Sequence, residues 1–365
     1  MRSIFSLIIL VTVFWSCDSG SGRKSKGLLP PASGRSGEII VVMDSSKWKG
    51  KVGEQIRETF RAEVGGLPRE ESMFKLNYVD PRSLNDILKS VKNLLFVMTI
   101  DDKRPGSRVV RNYFTKSSID KIKEDPNLFV HTAKDEFARG QTVMYLFGQN
   151  EEMLVENIKE NEKQLQGFFN KAENTRLEEG LYKAKEVEGL SKMLKEDHQC
   201  SMRIPFGYKL VVNQPGFVWF RQINAESDMN VFITYRPYKS EKAFEKEAII
   251  DLRDSIARFQ LFEDPEMPET HIVTETKVPY IPVKTTQVSF NGSFAIEMRG
   301  LWKTNNLSMG GPFISYTLVD EELGRLYYIE GFVYSPGKNQ REYIRELEVI
   351  LSTFKTKEQL SASGS

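Results

Sequence analysis

Two shifts of pattern along the chain predict a mixed α/β and α+β architecture: two layered sheet-and-helix domains joined by a helical connector. From 38 to 172, continuous apolar runs alternate with helical repeats, as expected of buried strands crossing to helices. From 202 to 357, short strands divided by turn residues dominate, with one helix in the middle and one at the end. Between them, residues 173–201 keep sparse apolar positions at helical spacing, broken at Gly180 and Gly189, and predict a bridging, hinge-like connector.

Before the first domain, Arg2 gives a positive start, Ile4 to Trp15 is apolar, and the small residue Ser16 precedes Cys17. That order predicts an export signal. The run of about 12 residues is short of the roughly 20 that a spanning helix needs. Residues 1–17 resemble a bacterial lipoprotein signal, which implies cleavage before Cys17 and acylation of that cysteine by fatty acids such as palmitate. Two or three acyl chains hold a protein stably on a membrane. The places three and two before the cysteine hold Phe14 and Trp15 rather than Leu and a small residue, a loose form that resembles the lipoprotein signals of Bacteroidota. The alternative is an ordinary export signal with an incidental cysteine.

Residues 18–37 are rich in Ser, Gly and Pro and predict a flexible tether, spanning roughly 25 Å on average. Surface-exported lipoproteins of Bacteroidota often carry an acidic cluster just after the cysteine, whereas here Asp18 is followed by Arg23, Lys24, Lys26 and Arg35, so that the resemblance implies the periplasmic face of an outer membrane rather than the cell surface.

In the first domain, Ile39 to Met43 predicts a strand buried on both faces. Asp44, Ser45 and Ser46 offer caps for a helix whose apolar positions are Val52, Ile56, Phe60 and Val64. Phe74 to Val79 predicts a second strand, Ser83 caps a short helix, and Leu94 to Ile100 predicts a third strand. The charged loop Asp101 to Gly106 follows that strand at the sheet edge where open α/β folds commonly bind ligands, so Asp101 and Asp102 are candidate binding residues. The plainer reading is a solvated turn. Two adjacent carboxylates also fall short of the six or more oxygens calcium prefers. After a poorly patterned middle, Thr142 to Phe147 predicts a strand, and Asn150 opens a long helix carrying Leu154, Ile158, Leu165, Phe168 and Phe169.

In the second domain, strands are expected at Tyr208 to Val212, Phe217 to Gln222 and Met229 to Arg236. A helix follows with Phe244, Ala248, Leu252, Ile256 and Phe259 as its apolar face. Strands near Thr270 to Thr276 and Val283 to Phe290 lead to Asn291-Gly292, a strong hairpin signal because both residues accept positive φ. Ser293 to Leu301, Phe313 to Val319 and Arg325 to Tyr334 complete a meander, and a last helix carries Ile344, Leu347 and Phe354 before a structureless tail at 358–365. The loop Trp302 to Pro312 combines an aromatic face with the amides of Asn305 and Asn306, a set able to hold a sugar ring or peptide. The plainer reading is a long hairpin loop with Trp302 folded back. By element order this half resembles the antiparallel α/β/α sandwiches of the photosystem accessory and Ran-binding type.

With 51 Lys and Arg against 50 Asp and Glu, the chain has no general electrostatic drive toward nucleic acid. Only Cys200 remains as a thiol once Cys17 is acylated, so no internal disulfide is expected, and Cys200 reads as a small buried residue. His131, His198 and His271 lack metal-ligand spacing. No phosphate loop, dinucleotide glycine fingerprint, zinc-protease helix or nucleophile elbow occurs, and neither a cofactor nor a catalytic residue is expected. A glycosidase-like carboxylate pair would leave no local signature.

Taken together, the cysteine-ended signal, the Glu38-Ile-Ile-Val-Val-Met43 strand, the central helices and the Tyr327-Tyr-Ile-Glu-Gly-Phe332 strand resemble an uncharacterised family of Bacteroidota lipoproteins, a domain of unknown function. The expectation is a lipid-anchored envelope protein that binds another envelope protein or glycan without catalysis. The competing expectation is a hydrolase acting on envelope glycan or peptide.

Overall fold

The computed structural model describes residues 29–184, 186–261, 266–277 and 281–362. The expected signal with Cys17 and the expected tether up to residue 28 lie outside the described residues.

The first half runs β1 (Glu38–Val42), α1 (Ser45–Lys49), α2 (Lys51–Phe60), β2 (Lys75–Val79), α3 (Asp86–Lys89), β3 (Asn93–Thr99), α4 (Pro105–Arg111), α5 (Lys116–Glu124), β4 (Val130–Lys134), β5 (Thr142–Gly148), α6 (Glu151–Glu160) and α7 (Glu162–Leu181). Its sheet has the order β2-β1-β3-β5-β4, parallel except for β4. All seven residues of β3 and of β5 are buried, which is why these strands read as unbroken apolar runs. Ile39, Val41, Leu95 and Leu146 pack beneath Ile56, Phe60, Leu154 and Phe169 on one face. Val42, Phe96, Val143 and Tyr145 meet Val110 and Ile122 on the other. Helices therefore cover both faces.

Three expectations need correction here. Asn85, not Ser83, caps the helix before β3, its side chain accepting from the Leu88 N–H at 2.9 Å. Pro105 and Gly106 begin α4 rather than ending a solvated loop. The last part of the expected tether, from Leu29 onward, is bonded to the domain: the Ala32 N–H donates to the Arg139 carbonyl at 2.8 Å and the Lys92 N–H to the Ser33 carbonyl at 2.9 Å.

After α8 (Glu188–His198), the second half runs β6 (Lys209–Gln214), β7 (Phe217–Ile223), β8 (Asp228–Pro237), α9 (Lys246–Gln260), β9 (Ile272–Thr274), β10 (Lys284–Phe290), β11 (Ser293–Thr304), β12 (Gly310–Asp320), β13 (Arg325–Tyr334), α10 (Arg341–Ser352) and α11 (Lys357–Ala362). The antiparallel sheet is ordered β10-β11-β12-β13-β8-β7-β6, with β9 paired to β11. Ile344, Leu347, Ile350 and Leu351 of α10 fill one face, and α9 covers the other. The two-residue turn at Asn291 (φ 49°) and Gly292 (φ 89°) is as the sequence predicts.

α9 departs from its expected face at one end: Phe244, Leu252 and Ile256 pack partly buried against the core beside the fully buried Ile249, Arg253 and Ala257, whereas Phe259 is 74% exposed. The fully buried stripe holds an ion pair inside the core: Arg253 donates to Glu330 at 2.8 and 3.0 Å, and both side chains are fully buried. Where a structureless tail was expected, α11 docks instead, Gln359 donating to the Phe290 carbonyl at 3.3 Å.

No helix among the described residues is long and apolar enough to cross a membrane.

Candidate binding cleft

Asp101 is exposed, while Asp102 is buried and fully engaged. Its Oδ1 accepts from Arg104 Nε at 2.8 Å and its Oδ2 from Ser107 Oγ at 2.5 Å. Burial works against its charge, but these donors outweigh burial and hold the carboxyl below its usual range. Asp44, at the end of β1, accepts from the Gly106 N–H at 3.2 Å and from Ser46 Oγ at 2.7 Å, and Arg104 also donates to Ser46 Oγ. β1 and β3 flank the point where the strand order reverses, the usual ligand crevice of such sheets. Here the chain's own Arg104 sits across that crevice. No group of three or more His, Cys, Asp or Glu side chains is placed to hold a metal among the described residues.

Trp302 lies on β11, not in a loop, because the strand runs on to Thr304. It is 2% exposed, its indole N–H donating to the Val333 carbonyl at 3.3 Å and its ring meeting Phe332 edge-on at 5.6 Å. Asn305 and Asn306 clamp the neighbouring segment: Asn305 donates to the Glu269 carbonyl at 2.9 Å and Asn306 to Thr270 Oγ1 at 3.2 Å. The expected aromatic-and-amide platform is thus folded inward. Cys200 is buried as expected, its thiol pushed up to about 12 by burial.

A cleft of about 450 Å³ opens elsewhere, between the halves. Lys171, Asn174, Thr175 and Glu178 line it from one side of α7, as their three- and four-residue spacing requires. Val288 to Asn291 of β10 and its turn form a second wall, Glu348, Val349 and Ser352 of α10 a third, and Glu297 and Tyr316 the floor. The floor is rigid. Arg299 donates to Glu297 at 2.7 Å and to Glu348 at 2.9 Å, and the Tyr316 hydroxyl donates to Glu297 at 3.0 Å. Burial opposes the Arg299 charge, but Glu348 and Glu297 outweigh it and raise its pKa.

The β10 wall carries one further feature. Phe290 and Ser293 bracket the two-residue turn, so they form a hydrogen-bonded pair, and every second residue back along β10 bonds β11. Thr285, Gln287 and Ser289 therefore point their backbone N–H and C=O groups away from the sheet, and these groups have no hydrogen-bond partner among the described residues. Apart from Asn291, singled out for the Asn291-Gly292 turn at the rim, none of the cleft residues was singled out from the sequence, because they come from five separate elements.

Residues 32–182 match the family model described as "Domain of unknown function (DUF8532)", and residues 188–353 match that described as "Domain of unknown function (DUF4837)". Among curated proteins, none matches this sequence. Similar solved structures include the Ran-binding protein Mog1p of Saccharomyces cerevisiae, 9% identical, covering 48% of this chain and 95% of that one at a TM-score of 0.29. A mutant of the protein Mog1 is 8% identical, covering 44% and 91% at a TM-score of 0.27. The human StarD13 lipid transfer and protein localization domain is 11% identical, covering 46% and 95% at a TM-score of 0.21.

Proposed function

We propose that this chain is a lipid-anchored, non-catalytic binding module of the cell envelope, and that it takes an extended segment of a partner protein along β10. The observation that carries this reading is the open backbone edge of β10 beside the 450 Å³ cleft. A strand added at such an edge satisfies its main chain against the sheet and drops alternate side chains into the adjoining hollow, which supplies both affinity and selectivity. The cleft's Asn, Ser and Thr groups suit a polar chain, and its carboxylates are held mostly in ion pairs: Glu178 with Arg203 at 3.1 Å, Glu297 and Glu348 with Arg299.

A hydrolase would want two carboxylates facing a common gap. Glu297 and Glu348 do approach one another, but Arg299 stands between them and Glu297 spends both oxygens on Arg299 and Tyr316. That favours holding over cutting. The anchor is the lipid on Cys17, which keeps the cleft within a tether's reach of the membrane, outer-leaflet or periplasmic.

The test places a photo-crosslinking residue at Ser289 in cells. One reproducible adduct is expected, and it should vanish with Gln287→Pro, which removes an outward N–H without touching the β10–β11 ladder. No adduct, or one indifferent to the proline, sinks the strand-addition reading. Detergent phase partition of the Cys17→Ser protein tests the anchor separately: it should move to the aqueous phase.

A further inference from the structure

On the opposite face of the second sheet lies a pocket that the cleft does not use. Its volume is about 290 Å³, and it sits beyond the end of α9. Trp219, Trp302, Phe332 and Tyr334 form its aromatic walls, and Val211 on the edge strand β6 stands at its rim. The polar side is a chain of bonded groups: Trp219 Nε1 donates to Asn230 Oδ1 at 3.0 Å, Asn230 Nδ2 to Asp228 Oδ1 at 3.0 Å, and Arg221 grips Asp228 through two bonds of 2.8 and 2.5 Å.

We propose that this pocket is a binding site for one small, uncharged aromatic molecule carrying a hydrogen-bond acceptor. Size permits it: a cavity of roughly 150 Å³ lined by apolar side chains already takes benzene. The walls supply ring faces and edges, against which another ring packs in offset or edge-on geometry, worth about 1 kcal/mol beyond its buried area. Charge sets the other half of the choice. Asp228 neutralises Arg221, so the rim does not call for an ion, while Arg221 Nη1, with no hydrogen-bond partner among the described residues, is a donor at the mouth, its side chain 37% exposed. The polar chain also holds both Trp219 and Arg221 in place before any ligand arrives, which lowers the ordering cost of binding. This site is independent of the strand-addition reading, since it lies across the sheet from β10's cleft face.

Calorimetric titration of the mature chain with p-cresol, and with cyclohexanol as a non-aromatic molecule of similar size and the same hydroxyl, tests it. Saturable binding of p-cresol at least tenfold tighter than of cyclohexanol is expected. Val211→Trp, a rim substitution at a position 44% exposed, should fill the pocket and weaken p-cresol at least tenfold while leaving the melting temperature nearly unchanged. No saturable p-cresol binding, equal affinity for the two probes, or undiminished binding in a folded Val211→Trp protein overturns the proposal. The comparison of the two probes on the unaltered chain stands by itself if the variant does not fold.

Discussion

The carboxylate of Glu71, in the first half of the chain, caps the helix that begins at Arg341 in the second. Its Oε1 accepts from the Gln340 N–H at 2.6 Å and its Oε2 from the Arg341 N–H at 3.1 Å. The first N–H groups of a helix have no partner within it, and the helix dipole favours a negative charge there. α10 is thus finished by a residue some 270 positions away. The contact is reinforced by Arg341, which donates to the Ser72 carbonyl at 2.7 Å, and by Arg345, which reaches Asn170 at 3.3 Å.

Glu71→Ala should therefore loosen the two halves together. A buried, charge-assisted cap of two bonds is worth about 2 kcal/mol. Urea unfolding should show a loss of that size, and hydrogen exchange should speed up in the first turn of α10. Unchanged exchange there would mean that the helix start is held by other contacts.

The pair Arg253 and Glu330 makes a second prediction. Burial raises the Glu330 pKa even though Arg253, beside it, works the other way, and Tyr328 adds a hydrogen bond of 2.5 Å. Removing one partner strands the other in a dry core. Glu330→Gln or Arg253→Met should each cost about 3–5 kcal/mol, whereas the double variant Arg253→Met with Glu330→Leu should recover most of that loss. Chemical denaturation of all three decides it; a double variant as weak as the singles would show that the pair contributes net stability.

The same pair shows what the sequence could and could not disclose. Parallel strands buried on both faces announce themselves, so Ile39 to Met43, Leu94 to Ile100 and Thr142 to Phe147 were legible, as was the Asn291-Gly292 hairpin. α9 misleads because its core position is an arginine. Apolar spacing selects Phe244 to Phe259, and Phe244, Leu252 and Ile256 do pack on the core, but the spacing gives no hint that Arg253 lies deeper than they do or that Phe259 faces water. β4 was missed because it is a mostly exposed edge strand, and α5 because it buries only Ile122. Beyond the Asn291-Gly292 turn at its rim the cleft had no signature: Lys171, Glu297, Tyr316 and Glu348 meet only through tertiary packing, and the open edge of β10 is a property of strand order, not of residue type.

Glu346, on α10, gives a prediction in pH. Burial pushes its carboxyl up to about 6 from an ordinary 4.5, and it makes no hydrogen bond or ion pair among the described residues. Tyr208, whose buried hydroxyl also lacks a partner, feels its charge. Since the folded pKa lies above the unfolded one, the folded state binds the extra proton between about pH 4.5 and 6, and stability falls as pH rises through that window. Above it the ionised carboxylate is a constant burden of at most about 2 kcal/mol, from a shift of that size. Glu346→Gln should remove the burden: the variant should melt higher than the parent at pH 7.5 and at the same temperature near pH 4. Melting curves collected across that range check the sign as well as the size. A gap between the two proteins that does not change with pH would mean that the side chain's volume, and not its charge, matters at this position.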